Sequence, residues 1–155
     1  MTLEPIRKTI TVACSREHAF KVYTEGFDSW WPREHHLGEG ELAEVVLESK
    51  EGGRWYERLT DGSECVWGHV LVWEPPGRVV LSWHIDGDWK IDPDPARASE
   101  IEVVFTEEGP GTTRVAIEHR AFERHGATAA KVHDGVDTDD GWTGLLKLFA
   151  AKAAS

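Results

Sequence analysis

At 155 residues and 17.4 kDa the chain has the length of one ordinary domain, and 40% hydrophobic with 29% charged residues is a globular composition. Twenty-eight acidic residues against seventeen basic leave a net charge of −11, which disfavours partners held by phosphate neutralisation: nucleic acid and anionic membrane surfaces. No apolar run approaches the roughly 20 residues of a membrane helix, so no membrane insertion is expected, and the opening MTLEPIRKTITVAC lacks the apolar stretch of a secretory signal, so the expected location is cytoplasmic.

In chain order, IRKTITVA (6–13) alternates apolar and polar residues as a half-buried strand does. Cys14 comes next; with Cys65 in a separate segment and no CxxC pattern, both read as small buried or half-buried thiols. Ser15 offers an N-cap to a short amphipathic helix over REHAFKVYTE, and Gly26 is placed to end it. FDSWWP (27–32) reads as a second short helix or turn, and REHHLGEGE as loop. Strands are predicted over 42–49, 53–60, 63–73, 78–85, 99–106 and 112–119. After an irregular 120–137, a long helix starts near Asp139 or Asp140, with the acidic VDTDDG run capping it. Its Trp142, Leu145, Leu146, Phe149 and Ala153 fall on one face. Antiparallel strands with one closing helix make an α+β domain occupying residues 1–155.

Turn chemistry predicts the faces. Asp61-Gly62 is a two-residue hairpin signal pairing Thr60 with Ser63, and hence Glu57 with Val66, Trp55 with Gly68 and Tyr56 with Trp67. Paired residues share a face, so the inner face of this hairpin carries Trp55, Glu57, Val66, Gly68, Val70 and Val72. A loop at EPPG (74–77) pairs Trp73 with Arg78 and adds Val79, Leu81, Trp83 and Ile85. The EEGPG loop (107–111) pairs Thr106 with Thr112, grouping Val103 and Phe105 with Val115, Ile117 and His119. Tyr56 and Trp67 fall on the outer face, where an exposed aromatic pair would offer a contact surface for a partner or a second copy in a homodimer. Gly68, flanked by Trp55 and Trp83, marks either a close approach or space for something else.

GGRWYE (52–57), WGHVLVWEPPGRVVLSW (67–83), SEIEVVF (99–105), GTTRVAIEHRAFERHG (111–126) and GW-x2-LL-x2-FA (141–150) occur in this order. Together they resemble the Aha-type branch (activator of heat-shock-protein ATPase homologue-like) of the SRPBCC, or START-like, superfamily. The resemblance implies a helix-grip fold, a curved antiparallel sheet wrapped around a long C-terminal helix with an internal cavity. It implies no single activity, because the superfamily includes lipid carriers, hydrophobic-ligand binders, hormone receptors, aromatase/cyclase enzymes and a chaperone cofactor domain. The chain has no room for the separate N-terminal chaperone-binding domain of the eukaryotic activators, so direct ATPase activation is not expected.

Eight tryptophans (30, 31, 55, 67, 73, 83, 89 and 142) are the strongest compositional feature. They serve either as packed core or as the wall of a cavity for an apolar or amphipathic small molecule. On the second reading the ligand meets Trp55, Glu57, Gly68, Val70, Leu81 and Trp83 from one half of the sheet. Val103, Phe105, Val115, Ile117 and His119 face it from the other half, and Trp142, Leu145, Leu146 and Phe149 from the helix. Trp30 and Trp31 would lie near the mouth. Glu57 and His119, the polar members of an apolar face, are candidate catalytic or ligand-orienting groups if the cavity brings them together. Otherwise Glu57 pairs with an arginine or backbone amides, and His119 bonds a buried group. His35-His36 lacks further ligands at metal spacing, HExxH and GxSxG are absent, and no phosphate-cradling loop is present, so no metal, cofactor or serine-hydrolase chemistry is expected. Binding of a small apolar molecule is the favoured function. A cyclase- or dehydratase-like enzyme using Glu57 and His119, and a homodimeric or chaperone-linked interaction module, are the alternatives.

Overall fold

The computed structural model describes residues 3–154. Seven strands, β1 (Ile6–Val12), β2 (Leu42–Leu47), β3 (Arg54–Leu59), β4 (Glu64–Glu74), β5 (Arg78–Trp83), β6 (Ser99–Gly109) and β7 (Thr112–Arg120), form one curled antiparallel sheet. Its order is β1-β7-β6-β5-β4-β3-β2, a meander closed by the N-terminal strand at its far edge. Two short helices, α1 (Arg16–Tyr23) and α2 (Phe27–Trp30), come after β1. The Ser15 side chain caps α1 by accepting from the amide of His18 at 3.2 Å. The C-terminal region packs into the curl, completing the α+β helix-grip architecture. No described helix is long and apolar enough to cross a membrane.

The closing segment is less regular than a single helix. Helix α3 (Ala129–Val136) occupies part of the stretch expected to be irregular. It is only two turns long and buries just Ala129 and Val132, too brief a pattern to stand out in sequence. A wide turn over Asp139–Thr143 then precedes α4 (Gly144–Ala153), and neither Thr138 nor Thr143 supplies a side-chain cap, contrary to the capping expected of VDTDDG. The break sits at Gly141, where any Cβ would overlap the carbonyl oxygen of Val136. Trp142 therefore belongs to the turn, while α4 sends Leu145, Leu146, Phe149 and Ala153 into the core. Phe149, fully buried, meets Tyr23 and Trp30 edge-on at 5.3 and 5.6 Å and so locks α4 to α1 and α2.

Register departs from expectation in a patterned way. In the β3–β4 hairpin three residues, not two, turn the chain: the Leu59 amide donates to Ser63 at 2.9 Å, and Gly62 takes a left-handed φ of +91°. Glu57 consequently pairs with Cys65, not Val66, and Tyr56 pairs with Val66, not Trp67. A bulge at Trp67 then restores the expected pairing of Trp55 with Gly68. The β4–β5 hairpin repeats the device. Glu74, not Trp73, pairs with Arg78, and a bulge at Leu71 restores Val70 opposite Leu81. Between tip and bulge the faces are exchanged, so Trp67 points inward at 1% exposure while Val66 lies opposite Tyr56 on the outside. Trp73 likewise turns inward against Phe20, at 5.1 Å, and Val72 turns outward to pair with Val80. In β6–β7 the slip is two residues, Thr106 pairing with Arg114, and an even slip leaves every face as expected.

Candidate functional site

A cavity of about 360 Å³ opens at one end of the sheet. Its walls are Trp67 from β4, Trp83 and Ile85 from β5 and its continuation, Trp31 and residues 34–37 from the loop after α2, and Trp89 from the loop before β6. Gly135 and Val136 at the end of α3, then Thr138, Gly141 and Leu145, close it from the C-terminal side. The volume lies at the lower end of the range for small-molecule sites, and the lining is mostly apolar.

The loop wall is held firmly for a segment without regular structure. Arg33 clasps Asp28 with two hydrogen bonds of 2.6 and 2.9 Å, and the same carboxylate accepts from the Val45 amide at 2.9 Å. The Trp31 indole donates to the His35 carbonyl at 2.7 Å, and the two ring nitrogens of His36 face the carbonyls of Arg33 and Gly40 at 2.8 and 2.9 Å. Fully buried Glu57 completes the brace. Its carboxylate accepts from the amides of Leu37 (2.6 Å) and Gly38 (2.9 Å) and from the Trp67 indole (2.8 Å). One buried charge thus ties the loop wall to the tryptophan of the β4 bulge, with its lone pairs taken by three donors.

His119 is equally occupied. The Trp142 indole, which can only donate, gives its proton to His119 Nδ1 at 3.0 Å. The histidine proton therefore sits on Nε2, which donates to Ser99 Oγ at 2.8 Å, and the Ser99 hydroxyl passes its own proton to His125 Nε2 at 2.7 Å. Burial, then the nearby His125 and His133, holds the pKa of His119 well below the usual 6.5, so the ring is neutral.

The paired role foreseen for Glu57 and His119 is not realised. They lie on β3 and β7, with β4, β5 and β6 between them, roughly 19 Å apart along the sheet at ordinary strand spacing. Of the residues expected around a ligand, Trp83 and Leu145 border the cavity. Trp55, Val70, Leu81, Val103, Phe105, Val115, Ile117, Trp142, Leu146 and Phe149 are packed core instead, because the curled sheet closes directly onto the C-terminal segment there. Gly68 is a close approach, since a Cβ on it would overlap the Ser82 carbonyl oxygen. Trp31 borders the opening as expected, whereas Trp30 donates to the Val22 carbonyl at 3.1 Å within the aromatic core. The outer aromatic pair does not form a surface. Trp67 is internal, and Tyr56 is 7% exposed with the Arg54 guanidinium 4.2 Å from its ring centre. Cys14 and Cys65 are unpaired and half-buried.

Sequence reasoning missed Glu34, Leu37, Trp89 and the Gly135–Gly141 stretch as wall. The IDGDWKID run carried the usable signal. Asp-Gly between two isoleucines marks a further hairpin, and Ile85 and Ile91 do pair across it.

The model of the Activator of Hsp90 ATPase homolog 1-like family matches residues 13–153. The chain belongs to this family. Among solved structures, this AHSA1-like chain is 43% identical to Txn09, an anthrahydroquino-γ-pyrone synthase complexed with a molecule abbreviated SUM, over 97% of each chain and with a TM-score of 0.68. It is 36% identical to CalC, a self-sacrificing resistance protein from Micromonospora echinospora, over 96% of this chain and 93% of that one, with a TM-score of 0.71. Protein MLL2253 from Mesorhizobium loti, at 15% identity and a TM-score of 0.66, shares the fold. No functionally curated sequence matches the chain.

Proposed function

We propose that this AHSA1-like protein binds a flat, largely apolar aromatic molecule in the cavity between the β4–β5 end of the sheet and the α3–α4 region. The observation that carries the reading is the wall itself: Trp31, Trp67, Trp83 and Trp89 border one braced opening. Tryptophan offers more flat contact area per residue than any other side chain and loses little entropy on stacking. Txn09, similar over nearly its whole length, is by name a synthase of a fused aromatic compound, which supports the same ligand chemistry here. A strongly anionic head is disfavoured by Glu34 at the wall and by the net charge of −11.

The test is a titration with 1,8-dihydroxyanthraquinone as a planar probe. Saturable one-to-one binding is expected. The indole N–H resonances of Trp31, Trp67, Trp83 and Trp89 should shift while those of Trp30 and Trp73 stay in place. No saturable binding, or shifts confined to other tryptophans, overturns the reading.

The 43% identity to a synthase favours a second reading, in which the cavity also promotes ring closure. Glu57 and His119 are consumed by structural hydrogen bonds, so acid–base work would fall to His35 and Glu34 at the wall. On that reading His35→Ala lowers turnover far more than it weakens binding. Equal losses in both would leave a binder alone.

A further inference from the structure

Among the described residues Trp89 is the most exposed large apolar side chain, at 65%, and it borders the cavity. It also has a left-handed backbone, φ +61°, a conformation glycine adopts freely and a bulky residue adopts at a cost. Exposure and strain both argue against this residue on grounds of stability, yet the surrounding hairpin is built to keep it there. The Asp86 carboxylate accepts from the amides of Asp88 (2.8 Å) and Lys90 (3.0 Å), and the Trp89 amide donates to the Asp86 carbonyl at 3.1 Å. Gly87 docks the hairpin on α3: its amide donates to Thr128 Oγ1 at 3.0 Å, and a Cβ there would press on Lys131 and Thr128. Lys131 closes the contact with an ion pair to Asp88 at 3.2 Å.

From this combination we infer that Trp89 is the residue that selects flat ligands: its ring stacks on the outward face of a molecule whose inner face lies against Trp83 and Trp67. The inference rests on the cavity reading above and deepens it by naming the specificity determinant. A preformed, strained aromatic at the rim is a stability cost held for a contact made only when ligand is present. It favours planar ring systems over globular apolar molecules of similar size, because stacking requires a flat face.

The experiment compares wild type, Trp89→Gly and Trp89→Phe. Glycine relieves the backbone and removes the ring, so its melting temperature should equal or exceed wild type while affinity for 1,8-dihydroxyanthraquinone falls roughly tenfold. Phenylalanine should stay within about threefold of wild type. Affinity for a cage-shaped probe, 1-adamantanol, should be the same in wild type and glycine variant. Undiminished anthraquinone binding by Trp89→Gly, or a lowered melting temperature marking Trp89 as a packing residue, overturns the inference and leaves the cavity reading standing. Failure of the wild type to bind the planar probe overturns both together.

Discussion

Trp142 donates its indole proton to His119 Nδ1 at 3.0 Å, and this bond joins the turn before α4 to the innermost face of β7. Gly141 and Leu145, on either side of Trp142, border the cavity, so the bond also sets the position of that wall. It holds only while Nδ1 is unprotonated, because an imidazolium has no acceptor.

That requirement gives the pH dependence of stability a definite sign. His119 stays neutral in the folded protein well below 6.5, whereas the unfolded chain takes up a proton as pH falls through about 6.5. The unfolded state binds more protons, so stability drops on acidification below about pH 7, with a slope approaching 1.4 kcal/mol per pH unit for this residue. The loss levels off only below the depressed folded pKa. His125 and His69, each lowered chiefly by burial, act in the same direction. Urea unfolding between pH 7.5 and 5.5 should therefore show a steep decline that becomes shallower by about one proton in His119→Phe. An identical slope in the variant would refute the assignment.

Glu57 is a structural anchor, and two substitutions grade its importance. Glu57→Gln keeps the shape but turns an amide hydrogen towards donors, which should cost about 2–3 kcal/mol. Glu57→Ala leaves the amides of Leu37 and Gly38 and the Trp67 indole without their acceptor, an expected loss of about 3–5 kcal/mol. Denaturant unfolding checks the magnitudes. Faster amide exchange at Leu37 and Gly38 in the loop, and not in β3 itself, checks the mechanism.

How far these features were legible depends on parity. The strands were readable because half-buried strands alternate, and β6–β7 kept its faces because its register differs by an even number of residues. Trp67 was misplaced because a three-residue turn at Gly62 and a bulge at Trp67 each shift the pairing by one, and neither offset shows in the hydrophobic pattern. The pairing of Trp55 with Gly68 survived because the two offsets cancel beyond the bulge, and the bulge lies on β4, so the faces of β3 were never at risk. Most of the cavity was hidden for a different reason. Its walls at 34–37, at Trp89 and from the end of α3 through Thr138 to Gly141 are turns and a helix terminus tied by side-chain hydrogen bonds, which carry no periodicity.

Gly68 has the expected pairing, and of the two meanings an inner-face glycine offers, close approach and open space, the structure takes the first. Read as an opening, it invites a large substitution that fills space; in the structure even one methyl would overlap the Ser82 carbonyl and force β4 from β5. Gly68→Ala should lose at least about 3 kcal/mol, or about 6–12 °C in melting temperature for a domain of this size. A shift under about 2 °C would mean that the strands separate at little cost.

Arg120 occupies the outer face of the sheet. Its guanidinium meets Glu100 at 3.2 Å, Glu102 at 3.1 Å and Glu118 at 3.0 Å, within a ladder extended by Arg7, Arg78 and Arg124. A single exposed ion pair contributes little, but here one cation separates three carboxylates, so Arg120→Met loses the attraction and exposes their repulsion. At low salt the expected loss is about 1–2 kcal/mol. The Arg120 hydrogen bond and Arg7 hold the Glu118 carboxyl below its usual pKa; at Glu102, burial pulls upward but Arg78 and Arg120 outweigh it. Stability from these groups is present above about pH 4.5 and is lost as pH falls through the folded pKa values. The deficit of the variant should thus narrow as pH falls through that range, because protonation takes the same interaction from wild type and relieves the repulsion in the variant. Because the repulsion acts between partly exposed charges, about 1 M NaCl should recover most of the deficit at pH 7. A deficit independent of salt would locate Arg120's contribution in the packing of its stem and not in its charge.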